Sequence, residues 1–346
     1  MRRSRPVEIG ALRLGGGAPV VVEAMVKSSL SEPERLAEEL DALERAGAEL
    51  VRVAVPDRAA AEEFVALQER VSFALMADVH FSWGLAEALV RAGARALRVN
   101  PGNMAAGAAF ERFCRAAAEA DVVVRVGANS GSIGSPRRRP ESMAEALSGG
   151  VLEAAGLLTR RGVTRLILGA KSRDVGVTVA ANRLIAESSA APIHVGVTAT
   201  GAGEAALVKS AIGIGALLLD GVGDTIRVSM TGPSADEVRV AKAILQAAGA
   251  RRFGPEIVSC PTCGRCAVDL VAAVERVRAA LGDAHDGLSV AVMGCGVNGP
   301  GEAADCDVGV AFGRRDAVLF KKGRMVRKVR AEDALEALLE MLRGGE

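Results

Sequence analysis

The string FALMADVH at residues 73–80, followed by FSWGLAEALVRAGAR at 81–95 and ALRVN at 96–100, decides how the chain is read. A short apolar run, a longer stretch of Ala, Leu, Glu and Arg with helical period, and a second short run make one β-α-β unit. The same rhythm begins at residue 19 and continues with little interruption. It yields eight short runs, at 19–25, 49–55, 73–80, 96–100, 122–129, 166–171, 193–199 and 225–230. Residues 32–46, rich in Glu, Leu and Ala, predict a helix between the first two runs, with Ser31 as its N-cap. Eight such units predict a closed (β/α)8 TIM-type barrel. An open doubly wound sheet is the alternative, but the GxGxxG fingerprint expected after its first strand is missing.

Side chains two apart on a strand share a face. Near the C-terminal ends of several runs this spacing aligns Asp78 with His80, Arg98 with Asn100, Arg125 with Asn129 four residues on, and Arg227 with Ser229. Any one of these could be a loop residue or a satisfied buried pair. Repeated at the end of strand after strand, they read as an active-site layer, because a barrel interior otherwise favours branched aliphatics. Arg52, Arg98, Arg125 and Lys171 would converge on that mouth, with Asp78 the evident acid among them. Such a group suits an anion with several oxygens, phosphate or diphosphate, which matches the bidentate geometry of Arg.

The rhythm changes after about residue 250. A helical stretch at 268–281, a β-like run at 288–293 and a final helix at 332–342 predict a separate α+β domain, so the chain divides into 1–252 and 253–346. Half of the 346 residues are apolar and the net charge is +1, as expected of a folded protein. One Trp, no Tyr and no overall basic field argue against a nucleic-acid partner. Arg137 to Arg139 and residues 321–330 are charge runs, which are usually solvated faces, although the second could help dock an acidic electron donor. His285, in a loop-like segment, reads as a surface residue. Pro and Gly interrupt the basic N-terminus before any signal-length apolar core, and no apolar run approaches a membrane span, so a cytoplasmic location is expected.

Four of the six cysteines fall between Cys260 and Cys295. Cys260, Cys263 and Cys266 form C-x2-C-x2-C, and Cys295 follows a predicted strand into a Gly-rich loop. Backbone N–H groups in such loops can bond to cluster sulfurs, so an iron–sulfur site is one reading. A structural zinc site of Cys260, Cys263, Cys295 and Cys306 is the other, and spacing alone leaves both open.

The strings SCPTCGR at 259–265 and MGCGVNGPGEA at 293–303 resemble the two cluster motifs of the 4-hydroxy-3-methylbut-2-enyl diphosphate synthase family of the non-mevalonate isoprenoid pathway. LVRVAVP at Arg52, MADVHF at Asp78, LRVNPGN at Arg98, RVGANSGS at Arg125, KSRDV at Lys171, HVGVT at His194 and GVGDTIRVS up to Ser229 resemble the family's strand ends, so the likeness spans nearly the whole chain. The resemblance implies a 4Fe-4S cluster on Cys260, Cys263, Cys295 and Glu302, with Cys266 and Cys306 spare; ferredoxin-like spacing would instead recruit Cys266. It implies reductive ring-opening of 2-C-methyl-D-erythritol 2,4-cyclodiphosphate with electrons from reduced flavodoxin or ferredoxin. Arg52, Arg98, Arg125 and Lys171 would hold the diphosphate. Asp78, His80, Asn100, Asn129, Thr198 and Ser229 would orient the rest, Arg227 would join them, and Asn298 would help at the cluster. It further implies a head-to-tail homodimer in which one chain's cluster domain covers the other's barrel.

Two segments depart from the family. Its Thr-Glu-Ala-Gly is Thr198-Ala199-Thr200-Gly201 here, and its Gln-Ser-Met-Thr is Glu23-Ala24-Met25-Val26. These changes leave open a related iron–sulfur reductase with another phosphorylated substrate, or a redox or ligand sensor without turnover. A zinc-stabilised RNA-binding protein is a third alternative.

Overall fold

The structure is a computed structural model that describes residues 2–100, 107–132, 140–282, 287–297 and 299–343. It divides into two compact units, Met1–Arg251 and Arg252–Glu346.

The first unit opens with a small antiparallel hairpin, β1 (Val7–Ile9) and β2 (Leu12–Leu14). Strands and helices then alternate: β3 (Val21–Met25), α1 (Pro33–Ala46), β4 (Leu50–Ala54), α2 (Arg58–Gln68), β5 (Ala74–Val79), α3 (Trp83–Ala92), β6 (Ala96–Val99) and α4 (Ala108–Glu119). They continue through β7 (Val123–Asn129), α5 (Pro140–Thr159), β8 (Leu166–Lys171), α6 (Val175–Ser188), β9 (His194–Val195), α7 (Gly203–Leu219), β10 (Thr225–Ile226) and α8 (Ser234–Ala247). Strand order is β8-β7-β6-β5-β4-β3-β10-β9, all parallel, and a bridge between Leu168 and Ile193 joins the two ends. The predicted TIM-type barrel is therefore present. The last two strands hold only two ladder residues each, because the chain leaves the ladder before Thr198 and Arg227.

The seam depends on Gly169, where a Cβ would lie 2.5 Å from the carbonyl oxygen of His194. The opposite end is stoppered by the hairpin, whose Val7, Ile9 and Leu14 pack on Leu50, Met76, Ala96, Val123 and Ile167 at the strand starts. One capping expectation fails. Helix α1 begins at Pro33 with Glu32 as N-cap and no side-chain cap bond, so Ser31 does not cap it. Proline, with its fixed φ, favours the first helical position, so Pro33 starts the helix one residue later than expected and leaves Ser31 outside the cap.

The second unit comprises β11 (Glu256–Ser259), α9 (Leu270–Leu281), β12 (Ser289–Met293), α10 (Gly299–Glu302), β13 (Val308–Phe312), β14 (Asp316–Lys321), β15 (Arg324–Arg330) and α11 (Ala334–Leu342). Its sheet runs β11-β12-β13-β14-β15, the first three parallel and the last two antiparallel. Val277, Val290, Val310, Leu319 and Leu338 form its core under α9 and α11.

Replacing Gly169 with Ala should lower stability by about 2 kcal/mol, since the contact is with backbone that cannot step aside. A urea midpoint equal to that of the parent would contradict this account of the seam.

Candidate active site at the barrel mouth

Strand register brings the polar layer together. Asp78 pairs in register with Arg98, Arg98 with Arg125, and Asn129 with Lys171. One pocket is lined by Arg52, Asp78, His80, Arg98, Arg125, Asn129, Lys171, Thr198, Arg227 and Ser229, the strand-end residues the sequence singles out. Asn100 is buried just beyond β6 and is not among the lining residues.

Asp78 lies 3.0 Å from Arg98 Nη1, 3.4 Å from Arg52 Nε and 3.4 Å from His80 Nε2. Arg98 also donates to the carbonyl of Gly127 at 3.0 Å. Burial works against ionisation of Asp78, but the hydrogen bond from His80 and the guanidinium groups of Arg52 and Arg98 outweigh it, holding the carboxyl well below the usual range.

Asp78 is not the only acid in this layer. Glu23 is fully buried and grips Arg125 through both oxygens, with Arg52 Nη1 at 3.6 Å. Its desolvation is overcome by Arg125 and Arg52, so its pKa is also lowered. Glu237 on α8 is buried, lies 3.2 Å from Arg227 and 3.1 Å from Lys27, and accepts from Met230 N–H at 3.0 Å. Neither Glu23 nor Glu237 is marked in the sequence as a partner of a distant arginine, since no strand spacing links either to Arg125 or Arg227.

Lys171 has the opposite problem. Burial, then repulsion from Arg52 and Arg227, pushes its pKa well below the usual lysine range, with only Glu23 opposing. Gly196 makes room for it, since a Cβ there would come within 2.9 Å of the Lys171 amine and 2.5 Å of the Arg227 carbonyl oxygen. His194, another lining residue, is 2% exposed, and neither ring nitrogen has a hydrogen-bond partner among the described residues. Burial and the surrounding Lys171 and Arg125 charges lower its pKa, so it presents a neutral imidazole. Ala199 adopts a left-handed φ of 53° in the turn after Thr198.

In the second unit, Cys260 and Cys266 converge on Gly294. The Gly294 N–H donates to Cys260 Sγ at 3.3 Å, and a Cβ on Gly294 would meet Cys266 Sγ at 2.4 Å and Cys260 Sγ at 3.5 Å. Cys295 adjoins this cradle half-buried, Cys263 is exposed, and Glu302 is exposed on α10. Cys306 is buried with Met293, Ala303 and Phe320, a group against which Cys260 packs, and burial raises its pKa. Among the described residues no three His, Cys, Asp or Glu side chains already surround one metal position. Asn298, His285 and Arg137 to Arg139 lie outside the described residues. Among the described residues no helix is long and apolar enough to cross a membrane.

The family model for the GcpE TIM-barrel domain matches residues 4–242, and that for the GcpE protein C-terminal domain matches residues 256–344. The chain belongs to the GcpE family. Among GcpE relatives, the 4-hydroxy-3-methylbut-2-en-1-yl diphosphate synthase (flavodoxin) of Geobacter sulfurreducens is 41% identical over 341 residues, 97% of this chain and 96% of that protein. The protein of the same name from Thermodesulfovibrio yellowstonii is 39% identical over 346 residues, 99% of each chain. Among solved structures, a dihydropteroate synthetase with product superposes with a TM-score of 0.51 at 13% identity, covering 71% of this chain and 100% of that one. That likeness concerns the barrel fold alone.

Because Glu23 and Asp78 have folded pKa values below their unfolded values of about 4, their ion pairs contribute full stability above that pH and lose it as pH falls through the folded values. Glu23→Gln should cost about 3 kcal/mol near pH 7, because it leaves Arg125 buried without its counter-charge. The deficit should narrow in acid, measured by urea denaturation from pH 7 down to about pH 3. A deficit independent of pH would show that the carboxylate charge is not what holds the arginines.

Proposed function

We propose that this chain converts 2-C-methyl-D-erythritol 2,4-cyclodiphosphate to 4-hydroxy-3-methylbut-2-enyl diphosphate, with electrons from reduced flavodoxin. Family membership over nearly the whole chain supports an oxidoreductase of this kind, and one observation ties the reaction to these residues: a buried strand-end pocket with five cations and room left by Gly196. The reaction opens the ring at a carbon–oxygen bond of the diphosphate, expels one hydroxyl as water, and consumes two electrons. The chain must bind a dianion, orient the carbon skeleton, exclude water and supply a proton to the departing oxygen.

Arg52, Arg98, Lys171 and Arg227 are the groups proposed to bind the diphosphate, with Arg125 held in the same layer by Glu23. Lys171 is the group whose charge is least favoured in the free pocket, so a diphosphate oxygen beside it would favour the ammonium. Asp78 orients Arg98, Arg52 and His80. His194, Thr198, Asn129 and Ser229 line the same space and suit the hydroxyl groups of the substrate. His80, beside the ionised Asp78 and facing the pocket, is the group proposed to pass the proton to the leaving oxygen.

The cysteine loops fit a cluster: Gly294 leaves the space two sulfurs occupy and bonds one of them. Cys260, Cys263, Cys295 and Glu302 would hold a 4Fe-4S cluster, which would supply electrons one at a time. Of these, the carboxylate of Glu302 is the more exchangeable ligand, which suits access by a substrate. Cys266 faces the same glycine as Cys260 and is the alternative thiolate. A head-to-tail homodimer would let one chain's cluster loops serve another's barrel, and a cytoplasmic location fits a flavodoxin-dependent enzyme. A related reductase with another substrate, or a sensor without turnover, is not favoured, since relatives matching 97% or more of the chain share one activity name.

The protein reconstituted anaerobically with iron and sulfide, and supplied with reduced flavodoxin or a viologen reductant, should form the linear allylic diphosphate from the cyclodiphosphate. Glu302→Ala should cut turnover at least about tenfold and lower iron retention. Cyclodiphosphate left unconsumed by a fully loaded protein would overturn the assignment, and an unaltered Glu302→Ala variant would remove that residue from the ligand set.

A further inference from the structure

Residues 321–330, KKGRMVRKVR, hold six cations and no acid. They form the end of β14, a tight turn and β15, the outer strand of the second unit's sheet. Directly opposed residues of an antiparallel pair share a face. Register sets Met325 against Phe320 and Lys328 against Val318. Phe320 belongs to the buried group with Met293, Ala303 and Cys306, against which Val318 and Cys260 pack. Met325 and Lys328 thus stand on the sheet face that carries the cysteine loop and α10, with one layer of core between Met325 and Cys260.

On that face Met325 is 67% exposed and its neighbour Val326, at a register shift in the ladder, is 50% exposed. The turn itself is fastened to the segment after α10. Lys322 N–H donates to the carbonyl of Asp307 at 2.8 Å, and Gly323 sits so close to Ala304 that a Cβ would meet its carbonyl oxygen at 2.6 Å. Ala304 is two residues beyond Glu302, so the basic turn cannot drift from the candidate cluster loop.

The cations are not all neutralised. Lys328 pairs with Asp316 at 2.7 Å, Arg330 with Glu332 and Asp333, and Arg327 with Glu340 at 3.9 Å. Among the described residues Lys321, Lys322 and Arg324 make no ion pair; Lys321 and Arg324 oppose each other on the other face, and Lys322 stands at the turn. Charges on an outer strand also discourage edge-to-edge association. That protection accounts for the cations, but not for two exposed apolar side chains in their midst or for the fastening of the turn beside α10.

We infer that the Met325 face of the β14–β15 hairpin, with Met325 and Val326 at its centre and Lys322 and Lys328 beside them, is the docking surface for the acidic electron-donor protein. The inference rests on the flavodoxin-dependent reading given above. A donor that surrenders one electron per encounter must bind twice per turnover and leave each time. A small apolar centre with a cationic rim suits such an association, because charge raises the rate of encounter without making release slow.

The test uses the iron–sulfur-loaded protein under anaerobic conditions, titrated calorimetrically with flavodoxin at low salt and at about 0.3 M salt. Lys322→Glu with Lys328→Glu should weaken flavodoxin binding at least about tenfold at low salt and flatten its salt dependence. Turnover driven by a small-molecule viologen reductant should be unchanged. Arg278→Glu, a charge reversal on exposed α9, is the matched control and should bind flavodoxin as the parent does. Equal binding by the double variant, equal weakening by the control, or no binding by the parent would overturn the inference. Absence of product with the viologen would instead count against the proposed reaction, while the titration would still decide the docking surface.

Discussion

Five cationic side chains, Arg52, Arg98, Arg125, Lys171 and Arg227, share one end of the barrel, and their mutual repulsion in a buried space is what Glu23, Asp78 and Glu237 offset. Each carboxylate does a separate part. Glu23 secures Arg125 and approaches Arg52 from β3, Asp78 aligns Arg98 and Arg52 from β5, and Glu237 reaches in from α8 to hold Arg227. Among the described residues Lys171 makes no ion pair, and its pKa is depressed, with Glu23 as the opposing charge. An anion is the charge the arrangement lacks, so the same imbalance favours binding of one.

The barrel supplies that layer cheaply because parallel register repeats the same height on successive strands. Arg98 lies beside both Asp78 and Arg125 without any long-range accident of folding. Small residues then set the free space: Gly169 lets the seam close, and Gly196 admits the Lys171 amine. At the far end the β1–β2 hairpin removes the strand starts from water, leaving the mouth as the polar end.

Much of this was legible in the sequence because the barrel repeats. Eight apolar runs, several with polar residues aligned near their ends, predict both the strands and the side of the barrel that carries chemistry. Seven of the eight residues so aligned do line one pocket, together with Arg52, Lys171 and Thr198. What escaped was information held across distance. Glu23 is 102 residues from Arg125, and nothing in Val-Val-Glu-Ala-Met reveals that its third residue turns inward to a guanidinium. Glu237 occupies the first turn of a helix, where an acid is ordinarily explained by the helix dipole. His194 carries no local signal beyond its strand. The β1–β2 hairpin, with three residues in each strand, is too short to show a period, and the strand segments after His194 and Thr225 end early because their following residues serve the pocket. In the second unit the C-x2-C-x2-C spacing announces a site, but only the Gly294 cradle reveals that Cys266 faces it alongside Cys260.

The central claim is that the buried cations of the barrel mouth receive a diphosphate. A crystal structure of the anaerobic, cluster-loaded protein with the cyclodiphosphate tests it most directly. The account predicts phosphate oxygens within hydrogen-bond distance of Arg98, Lys171 and Arg227, with the Glu23–Arg125 pair intact beneath them. A cyclodiphosphate bound elsewhere, with the mouth holding only water, would contradict it.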